Sequence, residues 1–151
     1  MPSVWTMKLI DTRMAQSKCI HCGNPVSGIM MPKQPADFLC VRHGRAVFLE
    51  CKSTRNSISF DLNLIKPHQL QAGLNLERKG AKYWFLLCRR IPYKMGVWAL
   101  RPGHIVTIRE NMTTKGAVKW PVIQGYALNG GRKIKRDTKR ALWTGLSVLF
   151  R

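Results

Sequence analysis

Negative charge is what this chain has least of. Its 151 residues hold 26 lysines and arginines against seven Asp and Glu, a formal net charge of +19. That imbalance excludes little about fold but narrows the partners to polyanions, nucleic acid first and an acidic membrane surface second. Long hydrophobic runs are missing too. No apolar stretch approaches the roughly 20 residues that cross a bilayer, and the N-terminus carries no signal-peptide core. A soluble, cytoplasmic protein with no membrane partner is therefore expected. The five cysteines are an odd number, and without a secretory signal they do not suggest a disulfide framework. Cys51 and Cys88 lie inside apolar runs, where free thiols behave as small buried hydrophobes. Internal repeats and low-complexity segments are absent. What is present is 45% apolar residues, enough for a real core, over a length that suits one domain.

Scarcity makes the position of each acid informative. In "DFLCVRHGRAVFLECK" (37–52), Glu50 stands inside the apolar run "AVFLEC", with Lys52 two residues on. Isolated charges are costly to bury, so either the run is an exposed edge or the charges have a task. "DFLCV" (37–41) and "AVFLECKST" (46–54) read as strands, joined through the glycine of "RHGR" into a hairpin. Side chains alternate along a strand. Val47, Leu49 and Cys51 then form a core face, while Glu50, Lys52 and Thr54 share the other face, with Asp37 beside them on the paired strand.

The remaining chain reads as follows. Residues 1–16 are a short helix or an extended arm, and 17–35, rich in Gly and Pro, are irregular. "RNSISFDLNLI" (55–65) is a loop. Residues 66–80 form a helix, with Pro67 in its first turn and Gly80 at its C-terminal end. Residues 82–90 are a buried strand, and "GVWALRP" (96–102) and "HIVTIRE" (104–110) are further strands. "MTTKGAVKWP" (112–121) is a loop, and a helix is expected near the C-terminus. Strand, strand, helix, strand, strand is the order of an α/β domain rather than a long doubly wound sheet. The expected organisation is a single domain over 1–151: an irregular segment 1–34, a core 35–110 and a basic segment 111–151.

Two carboxylates and an ammonium at one place have a clear chemical use. Carboxylates hold a hard divalent cation, which polarises a phosphodiester and activates water, and a lysine beside them steadies developing negative charge. The bland alternative is an Asp and a Glu–Lys pair on a solvated face, and the spacing alone does not decide between the two.

Here the sequence resembles a family. Asp37, Glu50 and Lys52, introduced by "PAD" (35–37), resemble the PD-(D/E)xK nuclease core. The continuation "ECKSTRNSISFDLNLIKPHQLQAGLNLERKGAKYWFLLCRR" resembles Holliday junction resolvases of the RecU type, with a Ser/Thr-rich loop ending in "SF" and a helix opening on "HQ". The resemblance covers about residues 35–90. It implies a restriction-endonuclease-like core, a mixed central β-sheet flanked by helices. It also implies a magnesium- or manganese-dependent endonuclease that cuts four-way DNA as a homodimer and takes no small-molecule substrate. Carried over residue by residue, Asp37 and Glu50 would hold the metal, Lys52 would be the catalytic lysine and Gln69 would match the glutamine that opens the helix. Gln69, Ala72, Gly73 and Leu76 fall on one helical stripe. Thr54, Arg55 and His68 are DNA-contact candidates.

The chain departs from this pattern at one place. Such nucleases carry a glutamate on a helix before the aspartate, yet no glutamate precedes Glu50. Asp11, the only acid upstream of Asp37, is the candidate extra ligand and Gln16 a weaker substitute; otherwise the metal has fewer protein ligands. Small size and the missing glutamate suggest a divergent member of the kind phages carry. Cys19, Cys22, Cys40 and His43 have a spacing near that of structural zinc sites, although thiols without metal are the simpler reading. Arg132, Lys133, Lys135, Arg136, Lys139 and Arg140 form the densest basic cluster, suited to phosphate contacts that position DNA without reading sequence. Two alternatives stay open: a restriction-like or homing endonuclease of the same superfamily, and a non-enzymatic basic nucleic-acid-binding module.

Overall fold

A two-residue turn sets the register of the central hairpin. His43 and Gly44 both take positive φ, 47° and 73°, as a type I′ turn requires at its two central positions. The turn joins β2 (Phe38–Arg42) to β3 (Arg45–Thr54), with Phe38 opposite Leu49 and Arg42 opposite Arg45. The computed structural model describes residues 5–9, 21–22, 34–92, 95–112, 116–127, 135–137, 142–144 and 149–150.

The hairpin is part of a five-stranded sheet. β1 (Trp5–Lys8) forms one edge, so residues 5–8 take the extended form of the two expected for the N-terminal segment. β5 (Lys82–Arg89) and β6 (Gly96–Leu100) complete the order β1-β2-β3-β5-β6. β3 and β5 are parallel and the other pairings antiparallel. Parallel neighbours need a crossover, and α1 (Pro67–Arg78) lies on that connection. Pro67 opens the helix, where its missing N–H costs nothing, and Gly80, at φ 82°, lies just past its end. At Gly73 a Cβ would come within 2.8 Å of Pro102 Cγ and 2.9 Å of Tyr83 Cδ1. The absent side chain therefore lets α1 sit tightly against the sheet.

The sheet separates two apolar layers. On the helix side lie Phe60, Tyr83, Phe85, Leu87, Trp98, Ile105 and Trp120. On the other lie Cys40, Val47, Leu49, Trp84, Leu86 and Val97, closed by Leu149 and Phe150. The Leu149 carbonyl accepts from Trp84 Nε1 at 3.3 Å and the Phe150 carbonyl from Arg45 at 3.2 Å. With both faces covered, β5 is buried from Tyr83 to Cys88, a continuous run rather than an alternation. The mixed sheet flanked by helices is the α/β architecture expected.

Four segments differ from the sequence reading. "HIVTIRE" is not a strand but most of α2 (Pro102–Glu110). Its β-branched residues favour strands locally, yet Pro102, Ile105 and Ile108, three apart, are the buried ones, and burial at helical spacing prevailed. Within 55–65, expected as loop, Ser59–Asp61 form β4 and Leu62–Leu64 a single 3-10 turn capped by Asp61. β4 pairs with β7 (Ala117–Lys119), inside the second expected loop, and α3 (Trp120–Tyr126) follows. Phe60, Val118 and Trp120 are the buried anchors there, too short a set to show periodicity. Near the C-terminus, Lys135–Asp137 (β8) and Leu142–Thr144 (β9) pair as antiparallel strands where a helix was expected. Among the described residues, no helix is long and apolar enough to cross a membrane.

Candidate active site

Glu50 is buried, at 2% exposure, on the helix-covered face of β3. Its strand neighbours there are apolar, with Phe85 paired to Glu50 and Leu87 to Lys52. Three other groups meet it. Lys52 Nζ lies 2.6 Å from Glu50 Oε1, reached along the same face because the two residues are two apart on a strand. Gln69 Nε2 donates to the same oxygen at 2.5 Å. The third group is Asp37, immediately before β2.

Asp37 is held by the end of the ladder. Its backbone N–H donates to Leu49 O at 3.1 Å, and its Oδ2 accepts from the Cys51 N–H at 2.8 Å. The carboxylate thus takes the ladder donor on β3 that lies beyond the end of β2. "PAD" is fixed from below as well, because the Tyr83 hydroxyl donates to Pro35 O at 2.8 Å. The Asp37 charge reaches Glu50, whose carboxyl is pushed above its ordinary value by burial first, with Asp37 adding to it while Lys52 pulls back. Burial, then the charges of Glu50 and Asp37, push the Tyr83 hydroxyl up, so it remains a protonated donor.

Gln69 is set by the start of α1. Its Oε1 accepts from the Lys66 N–H at 3.0 Å, one arm of a capping box. Its amide thereby bridges helix N-terminus and Glu50, and the positive end of the helix macrodipole faces the buried acid. The stripe drawn from the sequence holds, with Gly73 buried against the sheet and Gln69 at the end nearest Glu50.

Both side-chain donors end on Oε1 of Glu50 and none on Oε2 among the described residues, while the Asp37 backbone N–H also bears on the carboxyl. Oδ1 of Asp37 likewise takes no hydrogen bond among them. Two carboxylates lie close together, one of them buried and resisting ionisation, and among the described residues Lys52 pairs with Glu50 and not with Asp37. Additional positive charge would relieve that arrangement, and carboxylate oxygens are hard donors of the kind magnesium and manganese take. The residues present fit a divalent cation.

The other expected residues are spread more widely. Thr54 lies on the Glu50 face, but its Oγ1 accepts from the Asn56 N–H at 3.1 Å and so helps fold the next turn. Arg55 and His68 are exposed. Cys40 is buried, with its sulfur 3.5 Å from Thr6 Oγ1, and burial pushes its thiol up. Cys22 is exposed and His43 sits exposed at the hairpin turn. Among the described residues no three His, Cys, Asp or Glu side chains gather as a metal cluster. Asp11, Gln16, Cys19, Arg132, Lys133, Lys139 and Arg140 lie outside the described residues, and of Lys135 and Arg136 the backbone alone is described. Reading the sequence did not find Tyr83. Its one signal was an aromatic with a polar tip inside a buried run.

No family model matches the chain, and no curated protein matches it. Among solved structures it is similar to Hjc, a Holliday junction resolvase from the archaeal hyperthermophile Archaeoglobus fulgidus. The two share 10% identity at a TM-score of 0.42, over 80% of this chain and 76% of that one. A likeness of that size carries no functional weight, and the side-chain geometry has to supply it.

Proposed function

We propose that this protein is a divalent-metal-dependent endodeoxyribonuclease of the PD-(D/E)xK kind, related to the RecU-type resolvases, that cuts four-way DNA junctions by phosphodiester hydrolysis as a homodimer. One observation carries the reading: the buried Glu50 carboxyl, held on one oxygen by Lys52 and Gln69 with Asp37 beside it. A solvated Glu–Lys pair would be exposed and free to move; this one is buried and fixed by a helix terminus. The net charge of +19 supports a polyanionic substrate.

Each residue then has a role. Asp37 and Glu50 would hold magnesium or manganese. When bound, such a cation polarises the phosphodiester and lowers the pKa of water. Lys52 steadies the charge that builds on the phosphoryl oxygens or positions the attacking water. Gln69 keeps the Glu50 carboxylate in one rotamer. The Asp37 side chain is preset by the Cys51 N–H, which donates to its Oδ2.

Incubation with a synthetic four-way junction and a matched linear duplex, with magnesium or with EDTA, tests the reading. Magnesium-dependent cutting of the junction in preference to the duplex is expected. Sequence-specific cutting of the duplex would replace the resolvase with a restriction-like or homing nuclease. Binding with no cutting of either substrate would leave a nucleic-acid-binding module.

A further inference from the structure

Arg89 presents an anomaly at the far end of the same face. β3 and β5 run in register, so Arg89 pairs with Thr54, beyond the Glu50–Phe85 and Lys52–Leu87 pairs. Its guanidinium carbon lies 5.3 Å from the Trp98 ring centre and 5.7 Å from that of Trp120. The two indoles stack on each other at 4.8 Å and 31°. Trp120 is itself fixed, donating from Nε1 to Asn56 O at 3.0 Å. Arg89 therefore rests on a rigid aromatic platform.

A stacked guanidinium keeps its in-plane N–H edge available. Here Nε is buried with no hydrogen-bond partner among the described residues, so the half-buried side chain can meet an outside group through its terminal nitrogens and not through Nε. Among the described residues neither a carboxylate nor a carbonyl takes the Arg89 side chain. A buried unpaired donor is a cost to the fold, and residues held for a task commonly oppose stability.

Arg101 gives the contrast. It too stacks on an indole, 5.1 Å from the Trp84 ring centre, but it has the Glu77 carboxylate at 4.0 Å. Of these two tryptophan-stacked arginines, Arg101 has an internal carboxylate within reach and Arg89 has none among the described residues.

Resting on the nuclease reading above, we propose that Arg89 is a positioning residue that binds a backbone phosphate of the DNA strand next to the one being cut. Two residues along a strand span roughly 6.6 Å, about the separation of neighbouring phosphates in one DNA strand. A strand with one phosphate at Lys52 therefore brings the next to Thr54 and Arg89. Arg55 and Arg90 share the cleft beside Ile91 and Met95 at this end of the sheet and add attraction there. The contact is made by the guanidinium fork, so it fixes the register of the strand rather than its sequence.

Arg89→Met tests this, because the thioether stem can still cover the indoles. Binding of a labelled four-way junction is measured in EDTA across a salt series, with cutting in magnesium measured alongside. Arg89→Met is expected to bind roughly tenfold more weakly and to lower the slope of log affinity against log salt by about 1. Thermal stability should be unchanged or higher. Arg101→Met, which removes an equal charge, should leave the slope nearly unchanged and lower stability slightly. If Arg89→Met unfolds, Arg89→Gln is read in the same way. An unchanged affinity and salt slope in the folded variant, or an equal slope change for Arg101→Met, overturns the assignment. The slope is read in EDTA, so it stands whether or not the protein cuts. A wild type that binds but never cuts removes the nuclease reading alone, and a wild type that cuts while Arg89→Met matches it removes only the phosphate site.

Discussion

The two faces of β3 differ more than their shared backbone suggests. One face places Val47 and Leu49, at 0% and 3% exposure, against Trp84, Leu86 and Val97. The other places Glu50, at 2%, against Phe85 and Tyr83, with Lys52 and Gln69 as its only side-chain donors among the described residues. Burial is equal, but the first face contributes stability, whereas the second holds a carboxyl whose ionisation burial opposes. The difference teaches that the strand is organised around chemistry on one side, anchored by packing on the other.

The largest expected effect breaks the chemical face alone. Lys52→Ala should slow magnesium-dependent junction cutting roughly a thousandfold, the scale of losing one preorganised charge stabiliser. Glu50, without its ammonium, takes up a proton more readily, so the fold persists and junction binding in EDTA stays near wild type. Gel assays of cutting and binding, run side by side, check this. Loss of both together would make Lys52 a structural residue.

The packing face should fail in the opposite way. Leu49→Ala removes a side chain buried among Trp84 and Leu86 and should cost about 3 kcal/mol. That corresponds to a fall in Tm on the order of 10 °C. Cutting per folded molecule, measured well below the new Tm, should remain close to wild type. If it collapsed with Tm intact, the two faces would not be separable.

How much of this was legible in the sequence depends on range. The hairpin was, because period-2 patterning and a turn glycine are local signals. Helix 67–78 was, because Pro67 and Gly80 bracket it. Asp37, Glu50, Lys52 and Gln69 were candidates from their types and order, but the sequence could not show that one Glu50 oxygen takes both donors. α2 was misread because Ile105, Val106, Thr107 and Ile108 favour strands locally, and what they pack against is fixed by distant residues. The short elements β4 and β7 exist through each other, 58 residues apart at the Phe60–Val118 pair by chain position. Arg89 looked like one more basic residue, since the indoles that define it come from β6 and α3.

A smaller effect sharpens the comparison by changing one atom. Glu50→Gln keeps an Oε1 that accepts from Lys52 and Gln69 while removing the buried charge. Cutting should be lost, yet Tm near neutral pH should rise by roughly 3 °C, equivalent to about 1 kcal/mol. Residues held for chemistry commonly oppose stability. Differential scanning calorimetry in EDTA checks it, and a fall in Tm would mean that the Glu50–Lys52 pair is a net stabiliser.

The smallest effect is the pH dependence of that gain, and its sign follows from the direction of the shift. The folded protein holds the Glu50 carboxyl above its ordinary value of 4.5, chiefly through burial and secondarily through Asp37. A group raised on folding contributes stability that is fully present below its unfolded pKa and lost as pH rises through the folded one. In the wild type this contribution therefore fades above pH 4.5, whereas glutamine at position 50 has nothing to lose. His104 works in the other direction. Burial, then Arg101, hold its pKa below the ordinary 6.5, so its contribution is present above 6.5 and fades as pH falls through the folded value. Both proteins share His104, so subtracting their melting temperatures at each pH cancels it. The difference, Glu50→Gln minus wild type, should be near zero at pH 4, widen as pH passes through the raised Glu50 value, and then level off. A difference that stays constant from pH 4 to 8 would show that Glu50 ionises alike in the folded and unfolded chains, and the two faces of β3 would then differ in composition but not in energy.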